Sequence, residues 1–434
     1  MNVNFAERAH NHNWKLDPIV RSLLDTDFYK LLMLQFIWKN FAGTRVSSEV
    51  VNRTVKVRLA ERVGAAALAE QMEHVKGLRY GKSELVWLAG NTFYGVRSIF
   101  EPGFLDWLNT EFRLSDYEIS EHDGQLVLRF SGLWTEVTMW EIYALAIVSE
   151  LKTRAALAEL TELELDIVYA RAKTRLWDKI ERLRGVEGLR LSDFGTRRRH
   201  SFLWQEYAVE ALRATLGEEF TGTSNTALAY KHDLEAIGTN AHELPMAMAA
   251  MANTDEELQE SQYRVLELWQ RSYGGSLLIM LPDTFGTQQF LEGAPEWVAD
   301  WTGQRVDSKD PRVAGDEYIE WLRERGRDPR TKRLIASDAL DVDDIVSLHR
   351  YFRGRIRFSA GWGTLLTNDF RGCHPRGADT LEPLSLVCKL TSVGGRPTVK
   401  LSDNVLKATG PAELVERYRR VFGSVAVRGA EVLV

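Results

Sequence analysis

RLIASDALDVDDIVSLHRYFRGRIRFSAGWGT (residues 333–364) places two short apolar runs, RLIAS and IRFSA, on either side of a helix-length segment. Asp341, Asp343 and Asp344 fall where that helix begins, so their carboxylates complement its dipole. Two buried strands joined by a helix make a parallel strand–helix–strand unit. The same texture starts near Trp140, where helical stretches such as WEIYALAIVSELKTRAALAEL alternate with LRLSDFG, LEAIGTN, SLLIMLPDTFG and LSLVCKL. Six or more such units in about 250 residues fit an irregular parallel α/β barrel better than an open doubly wound sheet.

The residues before this region read differently. DTDFYKLLMLQFIWKNF is helical in its apolar spacing, with Asp25 or Thr26 available as N-cap. SSEVVNRTVKVRLAER alternates as strands do, and DGQLVLRFSGLW is the second half of a hairpin turning at Asp123-Gly124. An α+β N-terminal domain is therefore expected over residues 1–138, and the barrel over 139–390.

The 434 residues carry a net charge of −6, with 44% hydrophobic and 27% charged residues, which is the balance of a folded globular chain. A mildly acidic chain argues against nucleic acid or an anionic membrane as partner. No apolar run nears the roughly 20 residues that span a bilayer, and the N-terminus lacks the apolar core of a secretory leader. Two cysteines, Cys373 and Cys388, argue against a disulfide framework. A cytoplasmic protein is expected.

Ligands of parallel α/β folds bind at the C-terminal ends of the strands. The polar residues there are Asp193, Arg197, Thr223, Ser224, His242, Asp283, Arg305, Asp307, Asp338, Gly361, Gly363 and Thr364. Arginines, carboxylates and glycines together suit a phosphorylated substrate with a divalent metal. SDFGTRRRH (residues 192–200) sets three arginines at a helix start, where cations need a compensating anion. FSAGWGTLLTND (358–369) runs a strand into a glycine-rich turn of the kind that holds phosphate, but without the Gly-Lys-Ser/Thr of a P-loop. In RVDSKDP (305–311), alternation points Arg305 and Asp307 to one side. AIGTNAHELPM (236–246) has Met246 where a zinc-binding H-E-x-x-H would have its second histidine, so His242 reads as a base or nucleophile, or as a buried, hydrogen-bonded residue.

Taken in order, LLDTDFYKLLM, GNTFYG, SDFGTRRRHSFLWQ, FTGTSN, GTNAHE, RVDSKDP, FSAGWGTLLTND and VKLSDNVLKATG resemble the nicotinate phosphoribosyltransferase family. The resemblance implies a type II phosphoribosyltransferase barrel, with a C-terminal segment (391–434) that closes the site and packs on the N-terminal domain. It implies a homodimer with shared active sites, and Mg²⁺ with ATP as co-substrate. The implied reaction joins nicotinate to 5-phosphoribosyl-1-diphosphate, coupled to ATP hydrolysis through a phosphohistidine at His242, with Glu243 or Asp283 orienting the ring. It further implies that Tyr29 of the partner subunit and Phe194 sandwich nicotinate, and that Ser224 favours a carboxylate over an amide. Arg197 and Arg305 would hold carboxylate or phosphate, and Gly361, Gly363 and Thr364 the 5-phosphate. Asp307 and Asp338 would face ribose or Mg²⁺, and Lys400 and Lys407 the nucleotide phosphates. One departure is Lys309, where the family has glycine; it either strains the loop or adds a charge beside the phosphates. The alternatives are a quinolinate phosphoribosyltransferase and a non-catalytic metabolite-binding barrel.

Overall fold

The computed structural model describes residues 17–423; the leader expectation and residues 424–434 of the C-terminal segment lie outside them. In chain order the strands are β1 (Arg45–Asn52), β2 (Thr92–Phe93), β3 (Val96–Arg97), β4 (Tyr117–His122), β5 (Gln125–Leu133), β6 (Leu191–Asp193), β7 (Phe220–Thr223), β8 (Ile279–Met280), β9 (Gly303–Val306), β10 (Arg333–Ala336), β11 (Arg357–Trp362), β12 (Leu386–Val393) and β13 (Arg396–Pro397).

Six strands form a parallel sheet in the order β7-β6-β11-β10-β9-β8. Between its two edges runs the segment that precedes His242. Ala236 makes a parallel bridge to Thr223 of β7, and the Asn240 side-chain amide donates to the carbonyl of Ile279 in β8 (3.0 Å). AIGTN thus closes the barrel without being a regular strand. Its close approach depends on Gly222 of β7, whose φ is +139° and whose absent Cβ would lie 2.2 Å from the Glu235 carbonyl oxygen.

The N-terminal domain is built on an antiparallel sheet, β13-β12-β1-β5-β4. Asp123 and Gly124, both at positive φ, make the expected β4–β5 turn. The strand-like alternation expected over residues 47–62 gives one strand that stops at Asn52, because the Asn52 side-chain amide donates to the carbonyls of Thr54 and Val57 and folds the chain back. The helix Phe28–Asn40 is capped by Asp27 rather than by Asp25 or Thr26, and the Asp25 carboxylate is held by Arg199 and Asn225.

The expected boundary at 390/391 falls inside β12, which pairs with β1 along most of its length. The C-terminal segment then divides. Residues 400–409 pass over the mouth of the barrel, while the helix Ala412–Phe422 packs Tyr418 and Phe422 on Phe285 of the barrel domain. No helix among the described residues is long and apolar enough to cross a membrane.

Candidate functional site

At the C-terminal ends of the parallel strands lies a cavity of about 280 Å³, lined by residues of both domains and of the 400–409 segment. Its centre is His242, which caps the helix Glu243–Met251. The two ring nitrogens have different partners. Nδ1 lies 2.9 Å from the Thr284 hydroxyl, and Nε2 lies 3.1 Å from Asp307 and 3.6 Å from Asp283. Burial and the nearby Lys400 lower the ring's affinity for a proton, against the pull of the two carboxylates. His242 is therefore neutral at neutral pH. Burial pushes Asp307 upward, but its bond to His242 and the charge of Arg305 hold it well below the usual carboxylate range.

Glu243 is not a ring partner. Its carboxylate accepts from the buried Lys30 ammonium and from the Trp134 indole, both at 2.6 Å, which corrects the expectation of Glu243 as a group orienting His242. Lys30 also pairs with Glu141 at 2.6 Å, so these residues form a fixed charge cluster under the site. Lys30, Glu141 and Thr284 were missed by sequence reasoning. Thr284 lay one residue beyond a strand-end candidate, in LPDTFG; a lysine inside the apolar helical run YKLLML was the available signal for Lys30.

Two carboxylates suit a hard cation, and His242, Asp283 and Asp307 place ligand atoms within 4.8 Å of one another. The buried Oδ1 of Asp283 has no hydrogen-bond partner, as an oxygen directed at a cation would. Mg²⁺ therefore fits Asp283 and Asp307. It was expected at Asp307 and Asp338, but Asp338 is neutralised by the Lys407 ammonium at 2.6 Å.

The two aromatic side chains Tyr29 and Phe194 line one end of the cavity as a single chain forms it. The Phe28 N–H donates to the Ser224 carbonyl at 2.8 Å and seats this stretch on the end of β7. Gly238 makes room, since a Cβ there would lie 2.8 Å from the Tyr29 nitrogen. Gly361 does the same for Phe194, with a Cβ 2.4 Å from its ring. Gly361 is thus a spacer beneath the ring, and only Gly363 and Thr364 of the expected phosphate trio line the cavity.

Thr223 turns away and donates to Asp193 at 2.7 Å, so it too leaves the expected set. Ser224 lines the cavity, but its hydroxyl donates to Asp27 at 2.7 Å. Burial raises Asp27, against hydrogen bonds from Ser224 and Thr196. This second acid within DTDFYK was not singled out by sequence reasoning.

The three arginines of SDFGTRRRH divide. Arg199 is fully buried in a bidentate pair with Asp25 (2.6 and 2.7 Å) and is structural. Arg197 and Arg198 line the cavity with Arg53, Arg305, Lys389, Lys400 and Lys407. Burial, with Arg197 and Arg53 close by, pulls Arg198 down to about 9. Such a shift marks positive charge that awaits an anion. Lys309 bonds to Glu317 (2.6 and 2.7 Å), does not line the cavity, and is not at positive φ. It does not strain the loop, and its charge is taken up by Glu317.

Known proteins agree with this geometry. Residues 189–425 match the nicotinate phosphoribosyltransferase (NAPRTase) family, and residues 24–149 match its N-terminal domain. The crystal structure of nicotinate phosphoribosyltransferase from Vibrio cholerae is 32% identical, with TM-score 0.85, covering 94% of this chain and 95% of that one. The enzyme from Porphyromonas gingivalis is 29% identical, with TM-score 0.82, covering 93% of this chain and 100% of its own. With both halves of the chain matched and most of the expected site residues lining one cavity, this protein belongs to the nicotinate phosphoribosyltransferase family.

Proposed function

We propose that this chain joins nicotinate to 5-phosphoribosyl-1-diphosphate in the salvage of the pyridine ring for NAD, and couples the reaction to ATP through His242. The observation that carries the reading is the environment of that ring: neutral, buried, with one nitrogen on a hydroxyl and the other facing carboxylates and a basic cavity.

When the ring proton sits on Nδ1 and is donated to Thr284, the Nε2 lone pair is free. When it sits on Nε2, it is spent on Asp307. In the first state Nε2 attacks the γ-phosphorus of ATP; the N–P bond forms, the bond from phosphorus to the bridging oxygen breaks, and ADP leaves. Water later cleaves the N–P bond and releases phosphate. In the transfer itself the pyridine nitrogen attacks C1 of the ribosyl donor, and the C1–O bond breaks with loss of diphosphate. Tyr29 and Phe194 hold the ring, and the arginines and lysines hold the anions. Mg²⁺ at Asp283 and Asp307 would offset the charge of the phosphates. The excess of guanidinium groups near the ring end suits a carboxylate over a carboxamide.

Incubation with γ-labelled ATP is expected to give acid-labile, base-stable protein phosphate, absent in His242→Asn. Labelling that survives this substitution refutes the histidine assignment. Nicotinate, nicotinamide and quinolinate should be compared as acceptors. Equal turnover of nicotinamide would refute the carboxylate preference, and quinolinate-dependent release of CO₂ would refute the reaction.

A further inference from the structure

Closed α/β barrels are usually filled by layers of bulky branched side chains. This one is not. Beneath the site a second cavity of about 1060 Å³ runs toward the N-terminal ends of the strands, walled by Ser192, Thr221 and Ser359. Small hydroxyl side chains on three adjoining strands leave the barrel axis open. Tyr94, Phe194, Ile237, Thr239 and Ile335 line both cavities, so a thin partition separates them.

The far mouth of this cavity is basic. Arg190, Arg333 and Arg357 line it and come from the starts of neighbouring strands. Arg333 and Arg357 are register partners on β10 and β11. Arg190 lies beside them, its carbonyl accepting from Ala360 of β11. Neighbouring strands lie about 4.8 Å apart, and like charges directly opposite one another destabilise a sheet. Among the described residues none of the three is paired with a carboxylate; Arg190 and Arg357 donate only to the carbonyls of Glu218 and Arg330. Burial, with Arg190 and Arg357 nearby, lowers Arg333. Glu187, Glu218 and Glu235 also line the cavity. Glu187 is paired with Arg353 at 3.0 Å, Glu235 accepts from the Tyr94 N–H at 2.9 Å, and the exposed Glu218 meets Arg190 through its backbone carbonyl (2.9 Å).

We infer that Arg190, Arg333 and Arg357 form a second anion-binding site, at the opposite end of the barrel from His242, for a phosphate-bearing metabolite of up to nucleotide size. Its phosphate sits among the guanidinium groups, which bind such anions in forks. Its polar body extends along the hydroxyls of Ser192, Thr221 and Ser359 to the partition that Phe194 shares with the ring pocket. Occupancy is thereby in contact with a wall of the active site. The inference does not depend on the reaction assigned above.

The probe is inorganic diphosphate, titrated by calorimetry against the wild type and against Arg333→Gln/Arg357→Gln. The expected result is a class of sites in the wild type that the double variant binds about ten-fold or more weakly, the cost of losing charge-assisted pairs. Any diphosphate site at the front cavity is untouched by these substitutions and serves as the internal control. Melting supplies an independent readout. Without anion the double variant should melt no lower than the wild type, because a like-charge pair has been removed, and diphosphate should raise its melting temperature less. If the double variant does not fold, Arg357→Gln alone is used, since that side chain is exposed. Superimposable isotherms and equal thermal shifts in wild type and variant overturn the inference.

Discussion

Replacing Thr284 by valine removes one hydroxyl and little else. The side chain is buried, valine matches its shape, and its backbone carbonyl continues to accept from Leu401 and Ser402 (3.0 and 3.1 Å), so the C-terminal segment stays in place. What is lost is the 2.9 Å partner of Nδ1. A buried polar group left unpaired costs about 1–3 kcal/mol. That cost falls on the tautomer with its proton on Nδ1, the one that frees Nε2; Asp307 continues to favour the other. At about 1.4 kcal/mol per decade, phosphorylation of His242 should slow by about 5- to 150-fold. Rapid-quench labelling with γ-labelled ATP at saturating concentration measures this step directly. Phosphoribosyl transfer assayed without ATP should change little, because Thr284 does not line the substrate cavity. A labelling rate within two-fold of wild type would refute the claim that the hydroxyl selects the tautomer. An equal fall in both activities would show that the substitution had disturbed the cavity as a whole.

Lys400 is, after burial, the main influence holding His242 low. Lys400→Met should raise the ring's pKa, and because a protonated ring cannot attack phosphorus, the acid limb of labelling should move to higher pH; an unmoved limb refutes the electrostatic role. Gly222→Ala must accommodate a Cβ at 2.2 Å from the Glu235 carbonyl oxygen and at φ +139°. It should destabilise the protein by about 3 kcal/mol in urea unfolding, and a loss under about 1 kcal/mol would show that the closing segment yields easily. Mixing Tyr29→Ala with Phe194→Ala tests whether one chain completes the ring pocket. Activity should not recover on mixing, whereas recovery would place Tyr29 in a partner's site.

How far the sequence carries can be judged from particular residues. The helix of RLIASDALDVDDIV begins at Val342 with Asp341 as its cap, because carboxylates at a helix start are a local signal. The strand-end rule brought His242, Arg197, Arg305, Asp307 and Asp338 into one cavity, because parallel strands all present their C-terminal ends to the same face. The rule failed where a strand-end residue serves the interior rather than the cavity. Thr223 bonds to Asp193, and Gly361 supports Phe194 from beneath. A one-residue change in register reverses facing, and strands of three or four residues do not fix register by pattern alone. Glu243 could not be placed either, since its partner Lys30 is 213 residues away in sequence.

The same distance dependence explains why the far mouth of the barrel escaped notice. Arg190, Arg333 and Arg357 stand at the starts of three strands in separate segments, each reading alone as a solvated charge. Only the parallel register sets them side by side. At the front of the barrel a comparable excess of cations faces carboxylates such as Asp307 and Asp338, and the imbalance is explained by substrates that carry phosphate. At the rear the carboxylates are already engaged or lie at the rim, while the hydroxyl-lined axis leaves room for a ligand. Guanidinium groups kept adjacent at a cost in stability call for an anion at either end, and the two ends share the Phe194 wall. Binding at the rear should therefore be read first in the affinity for the pyridine ring, before any change in the rate of phosphorylation at His242.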